Sequence, residues 1–489
     1  MQQLSSSMRK ILLFSLLACL GPFALAQQDN VWTLQECVQH ALENNISIKQ
    51  SELDVRVTEA DQLDAIGNFL PSINLNSSVS ENTGLSFNPV TNNAQTTTFL
   101  SVTGRVNVGY TLFDGLRNFR QVQRAKLSKL AAEHRLDKME DDITLFIANN
   151  YLQVLQNKAN LETIIAQNEV TQEQIDRTNQ LVDAGTLPRG DLLEIQATDA
   201  TEKQRIAEAE NAVTISLISL AQLLQVKDYK TFDIADEGYE IIGEEILNVP
   251  VSAVIDSAQQ NRQEVQIAQD NVALAEKDLQ IARGAYYPTL TAFFGYDTRY
   301  TDATSFTQDL DPDNPFSTEQ IGVVEDTGQA VVGQVPNTIV TQVGAEPFFD
   351  QLYQNDGIGY GLQLNIPILN GFSVRSNVKR SKVNVERAKY QLEQAKLDLE
   401  SNVYQAYVDA KGALKAYEAA VASLESQELA YEYATERYDV GLTNAFDFSQ
   451  SKLRFNNANI ELNRTKYNYI FRLKVLELYF GVEPTELKF

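Results

Sequence analysis

The sequence repeats itself, which restricts it to folds that can be assembled from two similar halves. Val38, Ala41, Asn44, Val55, Glu59, Asp61, Ala65 and Pro71 recur as Ile255, Ala258, Asn261, Val272, Glu276, Asp278, Ala282 and Pro288, at a constant offset of 217 residues. From Asp114-Gly115 onward the offset becomes 256, matching that pair with Asn370-Gly371, Arg124 with Arg380, Tyr151 with Tyr407, Asp183-Ala184-Gly185 with Asp439-Val440-Gly441, and Asp191 with Asp447. The 39-residue change of offset is one insertion in the second half. The expected organisation is a signal peptide over 1–26, a first structural repeat over 27–250 and a second over 251–489.

Each half carries the same elements in the same order. Residues 34–66 have helical periodicity, 71–112 alternate, 116–182 run helical without a proline, and a further helix covers 188–225 after a Gly/Pro break. The second half predicts helices over 251–283, 372–439 and 444–481. At ~1.5 Å per residue the long helix spans roughly 100 Å, and the two shorter ones laid end to end cover nearly the same length. One long helix beside two stacked short ones is the expected arrangement, with 226–250 at mid-height. Asp228, Asp233, Asp236, Glu237, Glu240, Glu244 and Glu245 make that connecting segment a solvated belt rather than core.

The alternating segments decide the class. Leu100, Val102, Val106, Val108, Tyr110 and Leu112 alternate with Ser101, Thr103, Arg105, Asn107, Gly109 and Thr111, the period-two pattern of a strand with one apolar face. Ile73, Leu75 and Val79 do the same, as do Leu290, Ala292, Phe294 and Tyr296, and Tyr360, Leu362, Leu364, Ile366 and Ile368. Strands of about 9 to 11 residues with aromatic ends suit an outer-membrane barrel, and Phe69, Tyr110, Phe113, Tyr286, Tyr287, Tyr300 and Phe372 stand near those ends. A soluble sandwich is the plainer alternative. Beyond residue 26 no apolar run approaches the ~20 residues of a membrane helix. A net charge of −25 argues against a nucleic-acid partner.

Four strands cannot close a barrel, and an open edge in lipid leaves backbone groups without partners. Two copies would give eight strands, with an interior filled by side chains; three give twelve and a wider lumen. The expected fold class is therefore mainly α with membrane β. Four β-strands and long antiparallel coiled helices per chain would form, as a homotrimer, a 12-stranded outer-membrane β-barrel continuous with a periplasmic α-helical tunnel.

Arg9 and Lys10 precede the apolar run Ile11 to Leu20, and Ala24-Leu25-Ala26 offers a cleavage site before Gln27, so export is expected. Leu16-Leu17-Ala18-Cys19 resembles a lipoprotein box, which makes Cys19 an alternative acylation site. The mature chain then keeps Cys37 alone, expected to be buried in the amphipathic stretch Leu34 to Leu42 and without function.

The order of helix, strand pair, long helix, Gly-containing hairpin and helix, twice over, resembles the TolC-like outer-membrane efflux proteins, or outer membrane factors. The motifs are Phe69-Leu70-Pro71 and Tyr287-Pro288 entering the first strand of each pair, and Leu112-Phe113-Asp114-Gly115 and Ile368-Leu369-Asn370-Gly371 leaving the second. Arg437-Tyr438-Asp439-Val440-Gly441-Leu442 at a hairpin completes the set. The resemblance implies a trimeric channel-tunnel in the outer membrane whose periplasmic tip docks an adaptor protein tied to an inner-membrane pump. Such a duct serves efflux or type I secretion, carries no cofactor and performs no chemistry.

Gly185 and Gly441 each end a long helix, where a left-handed residue terminates it without a Cβ clash, and Pro188 suits the next helix start. Turn chemistry alone accounts for these residues. The resemblance additionally makes Ala184, Gly185, Thr186 and Leu187, with Val440, Gly441, Leu442 and Thr443, the adaptor-facing tips. Asp191 and Asp447 lie six residues past the glycines, about one to two turns up the returning helices; threefold repetition would make each a carboxylate ring at a constriction. Helix-start acids favoured by the dipole are the alternative. The resemblance matches Asp447 to an acidic ring and Tyr438 to a tyrosine that holds the entrance closed. The pattern departs at Gln450, where a second acid is expected, and at Thr443, where a basic residue is expected.

The insertion falls in the second hairpin loop. Residues 301–355 hold nine acids and no Lys or Arg, as a long solvated extracellular loop would. Asp309, Asp311 and Asp313 alternate as in a calcium loop but lack its glycine and later Glu, so no metal site is expected. His40 and His134 lie in helical stretches without any nucleophile or phosphate-loop motif, which argues against an enzyme. An exported coiled-coil scaffold or adhesin would explain the helices but not the strand pairs.

Overall fold

The computed structural model describes residues 31–482. The expected signal peptide and the Cys19 acylation site lie outside the described residues. Elements in chain order are β1 (Val31–Trp32), α1 (Leu34–Asn44), α2 (Ile46–Gly67), β2 (Ser72–Asn88), β3 (Asn93–Phe113), α3 (Arg117–Asp183), α4 (Arg189–Leu223) and β4 (Asp233–Ile234). They continue with α5 (Val251–Asn261), α6 (Gln263–Gly284), β5 (Thr289–Thr301), β6 (Ser305–Leu310), β7 (Phe316–Val323), β8 (Ala330–Pro336) and β9 (Thr338–Val343). The last are α7 (Phe348–Gln354), β10 (Gly357–Asn365), α8 (Ser373–Asp439) and α9 (Ala445–Phe480). Helix lengths recur between the halves: 11 and 22 residues for α1 and α2 as for α5 and α6, and 67 for both α3 and α8.

Two compact units form. One comprises 58–129 and 272–387; the other comprises 130–271 and 388–482 together with 31–57. The second of these is helical and has two apolar cores that mirror the repeat. Around Cys37, Ile147, Tyr151, Leu155, Leu220 and Ile470 pack α1, the middle of α3, the end of α4 and part of α9. Around Val254, Ala258, Leu399, Val403, Leu473 and Leu476 pack α5, the middle of α8 and another part of α9. Cys37 is fully buried, and burial, with the Glu36 charge, pushes its thiol up to about 12.

Three expectations are corrected here. The single helices expected over 34–66 and 251–283 are each broken, at Asn45 (ψ 131°) and Arg262 (ψ 132°), positions 217 residues apart. Polar side chains hold both breaks: Asn45 donates to the Leu223 carbonyl at 3.1 Å, and Arg262 donates to Asp141 at 3.0 Å. The segment 226–250 is not a solvated belt. Its acids stand among apolar residues that enter both cores, namely Phe232, Ile234, Tyr239, Ile246 and Leu247. Ile234 pairs in parallel with Trp32, and the Tyr151 hydroxyl donates to the Ala235 carbonyl at 2.7 Å. Its repeat partner Tyr407 does the same to Leu247 at 3.0 Å. Counting acids missed this because the buried residues alternate with them.

The other unit is built on an antiparallel sheet in the order β10-β5-β3-β2. Its register aligns the apolar alternation of all four strands. Ile73 faces Val108, Leu75 faces Val106 and Val79 faces Val102; Val106 in turn faces Tyr296, and Tyr296 faces Ile358. One face is thus predominantly apolar, interrupted by the small row Ser77, Gly104 and Thr298, and largely exposed, with Tyr360 80% accessible. The opposite face carries Asn74, Asn76, Thr103, Arg105, Asn107, Asp297, Arg299 and Gln363. The strands are longer than the 9 to 11 residues expected, 17 for β2 and 21 for β3, because the hairpin continues as a two-stranded ribbon past Ser101, where β5 ends its pairing. β10 stops at Asn365, so Ile366 and Ile368 lie outside it; Pro367 has no N–H to extend the ladder.

The insertion 301–355, expected as a long solvated loop, is mostly exposed and contains strands of its own. β6 pairs with β9 and β7 with β8, and α7 follows, its Gln351 bonded through both side-chain ends to the Thr301 backbone at 2.8 and 3.0 Å. Thr, Val, Ile and Phe are frequent enough in these segments to favour strands despite the acids. Asp311 caps the backbone N–H of Asp313 at 3.0 Å, a turn role.

Candidate functional site: the paired helix-hairpin tips

Both long helices end in the same manner. The Gly185 N–H donates to the Val182 carbonyl and the Thr186 N–H to Leu181, each at 2.9 Å; Gly441 and Leu442 repeat this onto Tyr438 and Arg437 at 3.0 and 2.8 Å. These are Schellman motifs, and φ of +72° and +75° at Gly185 and Gly441 is the left-handed conformation they need. The tip residues Ala184, Gly185, Thr186, Val440, Gly441 and Leu442 are exposed, while Leu187 and Thr443 are half-buried.

The returning helices start within one residue of the expected positions, at Arg189 and Ala445. Pro188 is the N-cap of α4 and Asn444 that of α9, its side chain accepting from the Asp447 N–H at 2.9 Å. Asp191 and Asp447 therefore sit in the first helical turn, where a carboxylate is favoured by the dipole, rather than one to two turns up. Asp447 is exposed, Asp191 and Gln450 half-buried.

Just above the tips, Ile195, Tyr438, Ala445 and Phe448 form a small buried cluster with Ile175 and Tyr431 packed on it. The Tyr438 and Phe448 rings stack 5.0 Å apart, and the Tyr438 hydroxyl lies 3.1 Å from that of Thr178. Burial raises the Tyr438 phenol above its ordinary value, and the Asp191 and Asp439 charges add to this against Arg177. Arg177 bridges to Asp439 at 2.9 Å. The fold thus brings Asp191 and Tyr438 into one electrostatic neighbourhood, joined by Thr178 and Arg177 from α3.

Farther along α9 lies a polar layer that sequence reasoning missed. Lys452, 2% exposed, reaches Glu202 at 3.0 Å, the Gln167 carbonyl at 2.6 Å and the Thr171 hydroxyl. Thr171 donates to the same Glu202, and Asn168 donates to Glu202 at 3.2 Å and to Asp199 at 2.9 Å. The layer ties α3, α4 and α9 together. Its signal was present: Phe448, Lys452 and Asn456 recur at i+4 on the buried stripe of α9.

The pattern of the outer membrane efflux protein family matches residues 37–225 and again 254–482, most of the chain. The chain belongs to the outer membrane efflux protein family. Outer membrane protein TolC of Vibrio cholerae serotype O1 is 23% identical over 351 residues, covering 71% of this chain and 69% of that protein. Among solved structures, the Campylobacter jejuni CmeC outer membrane channel superposes with a TM-score of 0.71 at 16% identity, over 92% of this chain and 85% of that one. The outer membrane protein VceC of Vibrio cholerae gives 0.69 at 15% identity, over 92% and 96%. As a member of the outer membrane efflux protein family, the chain is a channel-forming outer-membrane protein that reaches into the periplasm, and its sheet is the membrane part. A coiled-coil scaffold does not account for that sheet.

Proposed function

We propose that three copies close a 12-stranded barrel and form the passive exit duct of a tripartite efflux or type I secretion system, docked at its periplasmic tip to an adaptor and driven by an inner-membrane pump. The observation that carries this is the sheet. β2 and β10 are both unpaired on their outer edges, yet one sheet face is predominantly apolar, and lipid tolerates that face only if the edges are paired. Pairing β10 of one copy with β2 of the next supplies those bonds and turns the polar face inward. Arg105, Asp297 and Arg299 then line the lumen.

In this reading the tips, Ala184 to Leu187 and Val440 to Thr443, are the adaptor-facing surface. Threefold repetition makes Asp447 and Asp191 carboxylate rings at the entrance, with Tyr438 and Gln450 beside them. The molar mass of the detergent-extracted protein, measured by light scattering with detergent subtracted, and single-channel conductance of the same sample test the reading. A mass three times that of the chain together with a conducting pore is expected; a non-conducting monomer overturns it.

A further inference from the structure

At the periplasmic end of the membrane sheet lies a cavity of about 390 Å³, lined by Phe113, Leu116, Arg120, Gln280, Arg283 and Tyr287. It forms where the turn from β3 into α3 crosses the turn from α6 into β5. Glycine permits that crossing: a Cβ on Gly115 (φ +74°) would stand 2.3 Å from the Gly284 carbonyl oxygen. A register shift between Thr111 and Phe113 then sets Phe113 opposite Leu290, on the apolar face. The bulge re-aims an aromatic ring that plain alternation would have turned to the polar side. The cavity therefore opens beside the lipid-facing surface, at the level where an aromatic belt meets head groups.

The polar side of this cavity is cationic and short of anions. Arg120 donates to the neutral Gln280, and Arg283 has no carboxylate partner among the described residues. Arg117 packs along Gly284 with a buried Nε that has no acceptor. The neighbouring acids are occupied: Asp114 caps the N–H groups of Arg117 and Asn118 at 3.0 and 2.7 Å, and Asp278 binds Arg124 at 2.5 Å. Guanidinium groups in a pocket with an apolar lip complement a phosphate ester whose remainder is hydrocarbon.

We propose that this cavity binds the phosphate of a glycerophospholipid from the periplasmic leaflet, with Arg120 and Arg283 on the phosphate and Phe113, Leu116 and Tyr287 against the acyl chains. The chemistry that Arg120 and Arg283 recognise, a phosphate ester, is shared with soluble phosphate esters, and the test separates the two. The full-length protein, purified and delipidated in detergent, is titrated with phosphatidylglycerol, with diacylglycerol and with glycerol 3-phosphate, and bound ligand is read by native mass spectrometry. Phosphatidylglycerol is expected to remain bound, diacylglycerol not, and a hundredfold excess of glycerol 3-phosphate should fail to displace the lipid. Displacement by stoichiometric glycerol 3-phosphate overturns the lipid assignment. The pair Arg120→Gln/Arg283→Gln should weaken lipid binding at least tenfold and Arg120→Lys/Arg283→Lys much less; unchanged binding by a Gln pair of unaltered oligomeric mass overturns the site. If the Gln pair does not assemble, Arg283→Gln alone, an exposed position, should still weaken binding severalfold, and equal binding overturns the proposal. Oligomeric mass is read in the same spectra, so a failure of the trimer is distinguishable from a failure of the lipid site.

Discussion

Tyr151 and Tyr407 show how single hydroxyl groups hold the connecting segment in the helical unit. Each is placed by a long helix, and each donates to a backbone carbonyl of residues 226–250. Tyr151→Phe leaves the Ala235 carbonyl without its side-chain donor in a fully buried site and should cost about 1–2 kcal/mol. Tyr407→Phe should cost less, since Tyr407 is itself only half-buried. Urea midpoints of the detergent-solubilised variants check the order. A second residue-scale effect concerns charge on α3. Burial raises the Glu140 carboxyl above its ordinary value, with Asp137, Asp141 and Glu52 adding to it. The folded state therefore binds this proton more tightly than the unfolded chain, so stability grows as pH falls through the raised value toward 4.5, the ordinary value. Glu140→Gln should remove that gain, leaving a flatter melting-temperature profile over the same window; parallel profiles would contradict it.

Among elements, the Lys452 layer is where three helices are tied by charge. Both members of the pair are nearly inaccessible, at 2% and 6% exposure, so removing one strands the other. Lys452→Met should cost roughly 3–5 kcal/mol, and the double change Lys452→Met/Glu202→Leu should recover most of it, because an apolar layer leaves no buried charge alone. Thermal denaturation of the single and double variants checks this; equal losses would mean that packing, not charge, sets the cost. The element scale also shows where sequence reading reaches. Helix ends were legible to within a residue or two at Gly185 and Gly441, because a Schellman cap writes its glycine into the sequence. The breaks at Asn45 and Arg262 were not legible: neither is Gly or Pro, and both depend on acceptors far along the chain, the Leu223 carbonyl and Asp141. The strands of the insertion were hidden by its acids, whose charge is equally compatible with a solvated loop and with exposed hairpins.

For the whole molecule, threefold repetition of the tip is the proposal with the largest functional consequence. Asp447 is exposed in the first turn of α9, so its neutralisation should leave stability almost unchanged. In the trimer Asp447→Asn removes three charges from one ring, and block of conductance by divalent cations should weaken by about tenfold or more, on the order of 1.4 kcal/mol. Unchanged block in single-channel recordings would place the constriction elsewhere. The duplication, the apolar face of each strand, the long helices and the glycine tips were all determined by the sequence itself, because periodicity and backbone conformation are local properties. Only the tertiary structure decided that 226–250 enters the cores, that Lys452 is buried against Glu202, and that Phe113 turns to the apolar face beside arginines without a carboxylate partner among the described residues. Those outcomes depend on partners 34 to 285 residues away, and no local pattern carries that information.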